Sequence, residues 1–85
     1  MSQSLNIKIL LFASVAETSG QTTLHIPFLA NETIAELRRR IAEHLPLAAS
    51  DVERSRLARN EQFANDDEII IENDIIAVIP PVAGG

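Results

Sequence analysis

The sequence has no cysteine, tryptophan or tyrosine, and only three phenylalanines and three glycines. Without cysteine there is no disulfide framework, no thiolate metal site and no cysteine nucleophile, so any sulfur chemistry must use another atom. So few aromatics leave little on which to stack nucleobases. Long apolar runs are missing too. None approaches the roughly 20 residues that span a bilayer, and Met1-Ser2-Gln3-Ser4 opens no basic-then-apolar targeting segment. The chain is therefore expected to be soluble and cytoplasmic, with no membrane partner. Bases are absent from the C-terminal part: residues 1–59 hold seven bases against six acids, and residues 60–85 hold six acids alone. With a net charge of −5, this arrangement opposes binding to a phosphate backbone and favours a basic protein partner over nucleic acid.

What remains is 85 residues, 46% hydrophobic and 22% charged, enough for one domain with a thin core. A deep, self-contained active site is not expected in so short a chain. Around Lys8 the apolar series alternates, with Ile7, Ile9 and Leu11 on one face and Leu10 and Phe12 on the other, which predicts a strand. Ala13 to Ser19 suits a short helical turn, Ser19-Gly20 a turn, and Thr22 to Ile26 a second strand closing a long-looped hairpin. From Thr33 the period becomes 3.6: Ile34, Leu37, Ile41 and Leu45 form one stripe, Thr33 and Glu36 form a capping box, and Pro46 ends the helix. Ser50 and Glu53 repeat the box ahead of a strand-like Leu57-Ala58-Arg59. Ile69-Ile70-Ile71 and Ile75 to Ile79 are predicted as further strands, each after an Asn/Asp turn, with Pro80-Pro81 closing the last. The order predicts an α+β sheet with one face covered.

Catalytic constellations are sparse. His25 and His44 are isolated, no nucleophile motif occurs, and Arg38, Arg39 and Arg40 fan around their helix rather than forming one phosphate-binding stripe. The informative segment is Pro80-Pro81-Val82-Ala83-Gly84-Gly85, which follows an apolar strand and holds nothing that packs as a further element. It divides the chain into a body, 1–79, and a tail, 80–85. The prolines favour extended geometry and the side chains then shrink to none, so the tail suits a narrow channel. At ~3.3 Å per residue its six residues reach ~20 Å. A terminal Gly-Gly arises by chance in roughly one chain in 200, and chain ends are commonly disordered.

Taken together, the tail, the capped helix and the strand order resemble the molybdopterin synthase small subunits, the MoaD-type members of the ubiquitin-like β-grasp group. The most specific stretch is Asp74-Ile75-Ile76-Ala77-Val78-Ile79-Pro80-Pro81-Val82-Ala83-Gly84-Gly85. Ile7 to Ala13 with Glu17, and Arg59 to Ala64, also resemble family segments. Ala16 departs from the family's frequent Arg, and Asn73-Asp74 from its Asp/Asn-Gly-Asp turn. The resemblance implies a β-grasp fold: a mixed sheet of four to five strands on one main helix, with a flexible Gly-Gly tail.

It further implies a sulfur carrier, non-catalytic alone and completed as a sulfurtransferase by a large subunit. Gly85, presented by Gly84, would be adenylated by a ubiquitin-activating-type enzyme that consumes ATP. A sulfur donor would then convert it to a thiocarboxylate that thiolates a pterin precursor. The chain itself would bind no cofactor and no metal. Docking would use Phe12, Phe63 and Ile79 together with Pro80, Pro81, Val82 and Ala83. Core and interface stay open for the phenylalanines, although the phase of Phe12 and Ile79 opposes that of the core-facing residues. Glu61, Asp66, Asp67, Glu68, Glu72 and Asp74 form either a steering surface or a merely solvated face. Alternatives are a carrier for thiamine synthesis or another thiolation pathway, a ubiquitin-like module with an inert tail, and a modifier attached to lysines. Pro80-Pro81-Val82 and the chain length favour the molybdopterin route over the thiamine one.

Overall fold

A computed structural model describes residues 5–81. The alternating segment forms β1 (Asn6–Leu11), with Ile7, Ile9 and Leu11 buried as its phase requires. A seven-residue helix, α1 (Ala13–Ser19), occupies the hairpin loop and ends at Gly20. The φ of 72° there is one that a side chain resists, and the Gly20 N–H closes the helix on Ala16 O. β2 (Thr23–Pro27) then pairs antiparallel with β1.

The main helix, α2 (Ile34–His44), begins where the capping box predicts. Glu36 N–H donates to Thr33 Oγ1 at 3.2 Å, and Thr33 N–H donates to Glu36 Oε1 at 2.9 Å. Its stripe of Ile34, Leu37 and Ile41, with Leu45 just beyond, is buried against the sheet residues Ile9, Ile26, Leu57, Ile76 and Val78. The Thr33 backbone N–H, and then its hydroxyl, hold the Glu36 carboxyl below its ordinary 4.5. A carboxyl lowered by folding contributes stability that is full above the unfolded value and fades as pH falls through the folded one. The thermal midpoint is thus expected to fall between about pH 6 and pH 3, and Glu36→Gln to remove part of that slope. An unchanged slope in paired melting curves would show that the box contributes nothing through charge.

The second expected box does not form. The chain turns at Pro46–Ala48 in a single 3₁₀ turn that runs straight into α3 (Ala49–Glu53), so Ala48 flanks the helix start and Ser50 lies inside it. Preceding 3₁₀ geometry positions that first turn without a side-chain cap. Next come β3 (Arg56–Arg59), a very short β4 (Gln62–Phe63) and β5 (Ile75–Ile79). The sheet order is β2-β1-β5-β3-β4, with β1 and β5 parallel and the other pairs antiparallel. The expected strand at Ile69–Ile71 reduces to one bridge, Ile69 with Thr33. Its backbone is spoken for elsewhere: Ile70 N–H donates to Glu32 O, and Ile71 N–H donates to the Asp74 carboxylate. Among the described residues no helix is long and apolar enough to cross a membrane.

Candidate docking groove and tail exit

With the helices on one side, the other face of the sheet is set by the opposite phase of each strand. Register aligns Leu10 with Ala77, Ala77 with Ala58, and Ala58 with Phe63 across four strands. Small alanines in the middle and larger side chains at either end make an open groove of about 640 Å³. Phe12 and Ile79 stand toward the tail end, and Ile75, Asn60 and Glu61 toward the other. Phe12 is 45% exposed, Phe63 55% and Ile75 45%, and Ile79 is half-buried. So much apolar surface on so small a body marks a place where another surface sits. The three residues expected to form the docking contact are thus brought together, and the open question for Phe12 and Phe63 resolves to surface rather than core.

Local structure explains their poses. Phe12 leaves β1 in extended geometry, and Ala13 at φ 50° turns the chain into α1, whose Val15 and Ala16 N–H groups bond Phe12 O. Phe63 lies under the Arg56 guanidinium, 3.9 Å from cation to ring centroid, a cation–π contact at the groove edge. Arg56 is opposite Ile79 in register, beside the point where the chain leaves the sheet.

A buried polar cluster anchors the beginning of β5. Asp74 accepts from Asn60 Nδ2 at 2.9 Å and Ile71 N–H at 2.8 Å, and pairs with Arg59 Nε at 3.1 Å. Asn60 Oδ1 accepts from Ile75 N–H at 3.0 Å, and Arg59 Nη1 also reaches Glu68 at 3.2 Å. Asn73 takes φ 71°, a left-handed turn position that asparagine tolerates. Sequence reasoning missed the cluster, although an Asp immediately before the last apolar strand was its signal.

The acidic group is not one surface. Asp74 is buried, Glu68 pairs with Arg59, and the Arg38 hydrogen bond holds the Asp66 carboxyl below its ordinary value. Arg38 and Arg40 diverge, as their spacing predicts: Arg38 reaches Asp66 and Ser55 O, and Arg40 reaches Glu32 and Pro27 O. Pro80, expected to open the projecting tail and to touch the partner, is instead buried, and Pro81 is exposed. Pro80 continues the alternation in which Ile76 and Val78 are buried and Ala77 and Ile79 are not, so it falls on the covered side of the sheet. Val82, Ala83, Gly84 and Gly85 lie outside the described residues.

A five-stranded mixed sheet packed on one capped helix, with an apolar open face, defines the ubiquitin-like β-grasp class. The ThiS family profile matches residues 9–85. A molybdopterin synthase sulfur carrier subunit of Dictyostelium discoideum is 39% identical over 85 residues, covering 96% of this chain and 99% of that protein. The chain belongs to the ThiS family. Among solved structures, SAMP1 from Haloferax volcanii superposes with a TM-score of 0.82 at 25% identity, covering 94% of this chain and 99% of that one. A complex of subunits 1 and 2 of molybdopterin-converting factor from Helicobacter pylori contains a chain similar in fold, with a TM-score of 0.65 at 22% identity. That match covers 95% of this chain and 100% of the other.

Proposed function

We propose that this chain is the sulfur carrier of a molybdopterin synthase, docking through the groove so that its C-terminal residues enter the large subunit. The observation that carries this reading is the placement of Phe12, Phe63 and Ile79 on one open apolar face, with Phe12 and Ile79 at the end of the sheet from which the chain leaves. The name borne by the Dictyostelium relative supports the carrier role, and the two-subunit complex from Helicobacter supports the kind of partner.

In this reading the carrier chemistry belongs to Gly85. A carboxylate is a poor acyl electrophile because its oxygen leaves badly. Attack of that oxygen on the α-phosphorus of ATP, held by a ubiquitin-activating-type enzyme, forms an acyl-adenylate and releases pyrophosphate. Sulfur at the sulfide level from a donor then bonds to the acyl carbon as AMP departs, leaving a thiocarboxylate. Inside the large subunit that nucleophilic sulfur bonds to a carbon of the pterin precursor as an oxygen substituent leaves that carbon with its electron pair, and water then cleaves the acyl–sulfur bond to return the carboxylate. The chain's own part is to hold the sulfur on a slender arm and to dock.

Intact-protein mass spectrometry after incubation with the activating enzyme, ATP and a sulfur donor tests this. The expected result is a mass gain equal to oxygen replaced by sulfur, located at Gly85 by fragmentation. No gain with a demonstrably active enzyme would overturn the carrier reading, and isopeptide conjugates to lysines would transfer support to a protein modifier. The docking face has its own test. Phe12→Arg places a charge without a partner in an apolar contact and is expected to weaken binding to the large subunit at least tenfold by calorimetry. Unchanged affinity removes Phe12 from the interface.

A further inference from the structure

The turn at the rim of the groove carries a residue that its backbone disfavours. Asn60 and Glu61 join β3 to β4 as a two-residue loop, with Arg59 opposite Gln62, and their φ angles are 51° and 73°. Two consecutive left-handed residues mark a primed hairpin turn, in which glycine is strongly preferred at the second place. Asn60 fits: asparagine tolerates this region, and its side chain bonds Asp74 and Ile75. Glutamate has neither glycine's freedom nor asparagine's short polar arm. Among the described residues no hydrogen bond or ion pair engages the Glu61 carboxylate, which is exposed.

Among the described residues Glu61 is nonetheless the one charged residue lining the apolar groove, near Phe63 and Ile75. The neighbouring cations are placed otherwise. Arg56 covers the Phe63 ring nearer the tail exit, and Lys8, opposite Ile75 on β1, lies outside the groove lining. A carboxylate at the edge of an apolar contact is partly dehydrated when the contact closes. An opposite charge then counts for more than it does in water, and its lack leaves an uncompensated ion.

We propose that Glu61 is a specificity-determining residue of the docking face. It selects a partner surface that sets a lysine or arginine beside the apolar side chains filling the groove, and the strained turn persists to keep that carboxylate at the rim. This inference rests on the docking reading above.

The test compares wild type, Glu61→Gly and Glu61→Gln for thermal stability and for affinity to the large subunit at low and high salt, with Phe63→Asp as the reference for the groove. Glu61→Gly is expected to raise the thermal midpoint by about 3 °C, because glycine relieves the left-handed strain. Both Glu61 variants are expected to bind about tenfold more weakly at low salt and to lose much of the salt dependence. If their affinity and salt dependence match wild type while Phe63→Asp abolishes binding, the role of Glu61 is overturned and the docking face stands. If Phe63→Asp also binds normally, the docking face itself fails, and this inference with it.

Discussion

A chain lacking Gly85 is expected to lose sulfur transfer by at least 10²-fold while melting at the wild-type temperature. The loss follows from reach. Deleting one extended residue draws the terminal carboxyl group back by about 3.5 Å, and misplacement of a reacting atom by as little as ~1 Å can cost that factor. Stability is expected to hold because the core of the described residues extends from Ile7 to Val78, and glycine has no side chain to add to one. Coupled synthase turnover, read beside circular-dichroism melts, separates the two effects. Turnover retained in the shortened chain would mean that the carboxyl group of Gly85 is not the sulfur-bearing atom.

Arg40→Ala is expected to be the most damaging single substitution to stability outside the apolar core. Glu32 is buried, and its carboxylate is gripped at both oxygens by Arg40, Nε at 2.7 Å and Nη2 at 2.8 Å. Nη2 also donates to Pro27 O at 2.8 Å, so one guanidinium ties the end of β2 to the connection leading into α2. Glu32 O in turn accepts from Ile70 N–H, which carries the link to the segment before β5. Removing the cation leaves a buried carboxylate and a carbonyl unpaired, at a cost of about 2–4 kcal/mol. In a domain this small that amounts to a fall of about 10 °C or more in thermal midpoint. The double variant Glu32→Leu with Arg40→Leu is expected to recover part of the loss, because apolar replacement of both partners is often neutral. A single variant melting within about 1 °C of wild type would show the pair to be dispensable.

The two effects are independent in kind. The first prediction concerns chemistry proposed for Gly85, and the second concerns the Arg40–Glu32 pair, which holds the fold without touching the groove, whose lining includes neither residue. Phe12 and Phe63 belong to a third category: exposed, apolar, and expected to change association while leaving the fold in place.

Elements that depend on near neighbours were legible. Thr33-x-x-Glu36 ahead of Ile34, Leu37 and Ile41 specifies α2, because both the cap and the buried stripe are local properties of a helix. Alternation in Ile7 to Leu11 assigned the faces of β1 for the same reason. Ile69-Ile70-Ile71 misled, since a β-rich run becomes a strand only if a ladder is available, and here Glu32 O and the Asp74 carboxylate take its N–H groups. The second capping box misled in the same way: Ser50 and Glu53 have the right spacing, but the 3₁₀ turn at Pro46 starts the helix before them.

The composition, the capped helix, the strand alternation and the Pro-Pro-Val-Ala-Gly-Gly ending were thus determined within the sequence, because each depends on residues a few positions apart or on the whole composition. Tertiary structure alone decided that β5 lies between β1 and β3, that Asp74 meets Arg59 and Asn60, and that Leu10, Ala77, Ala58 and Phe63 line up into one groove with Glu61 at its rim. Those contacts join residues far apart in the chain. Only the parallel and antiparallel registers of the folded sheet bring them within reach, and no local period encodes a register between distant strands.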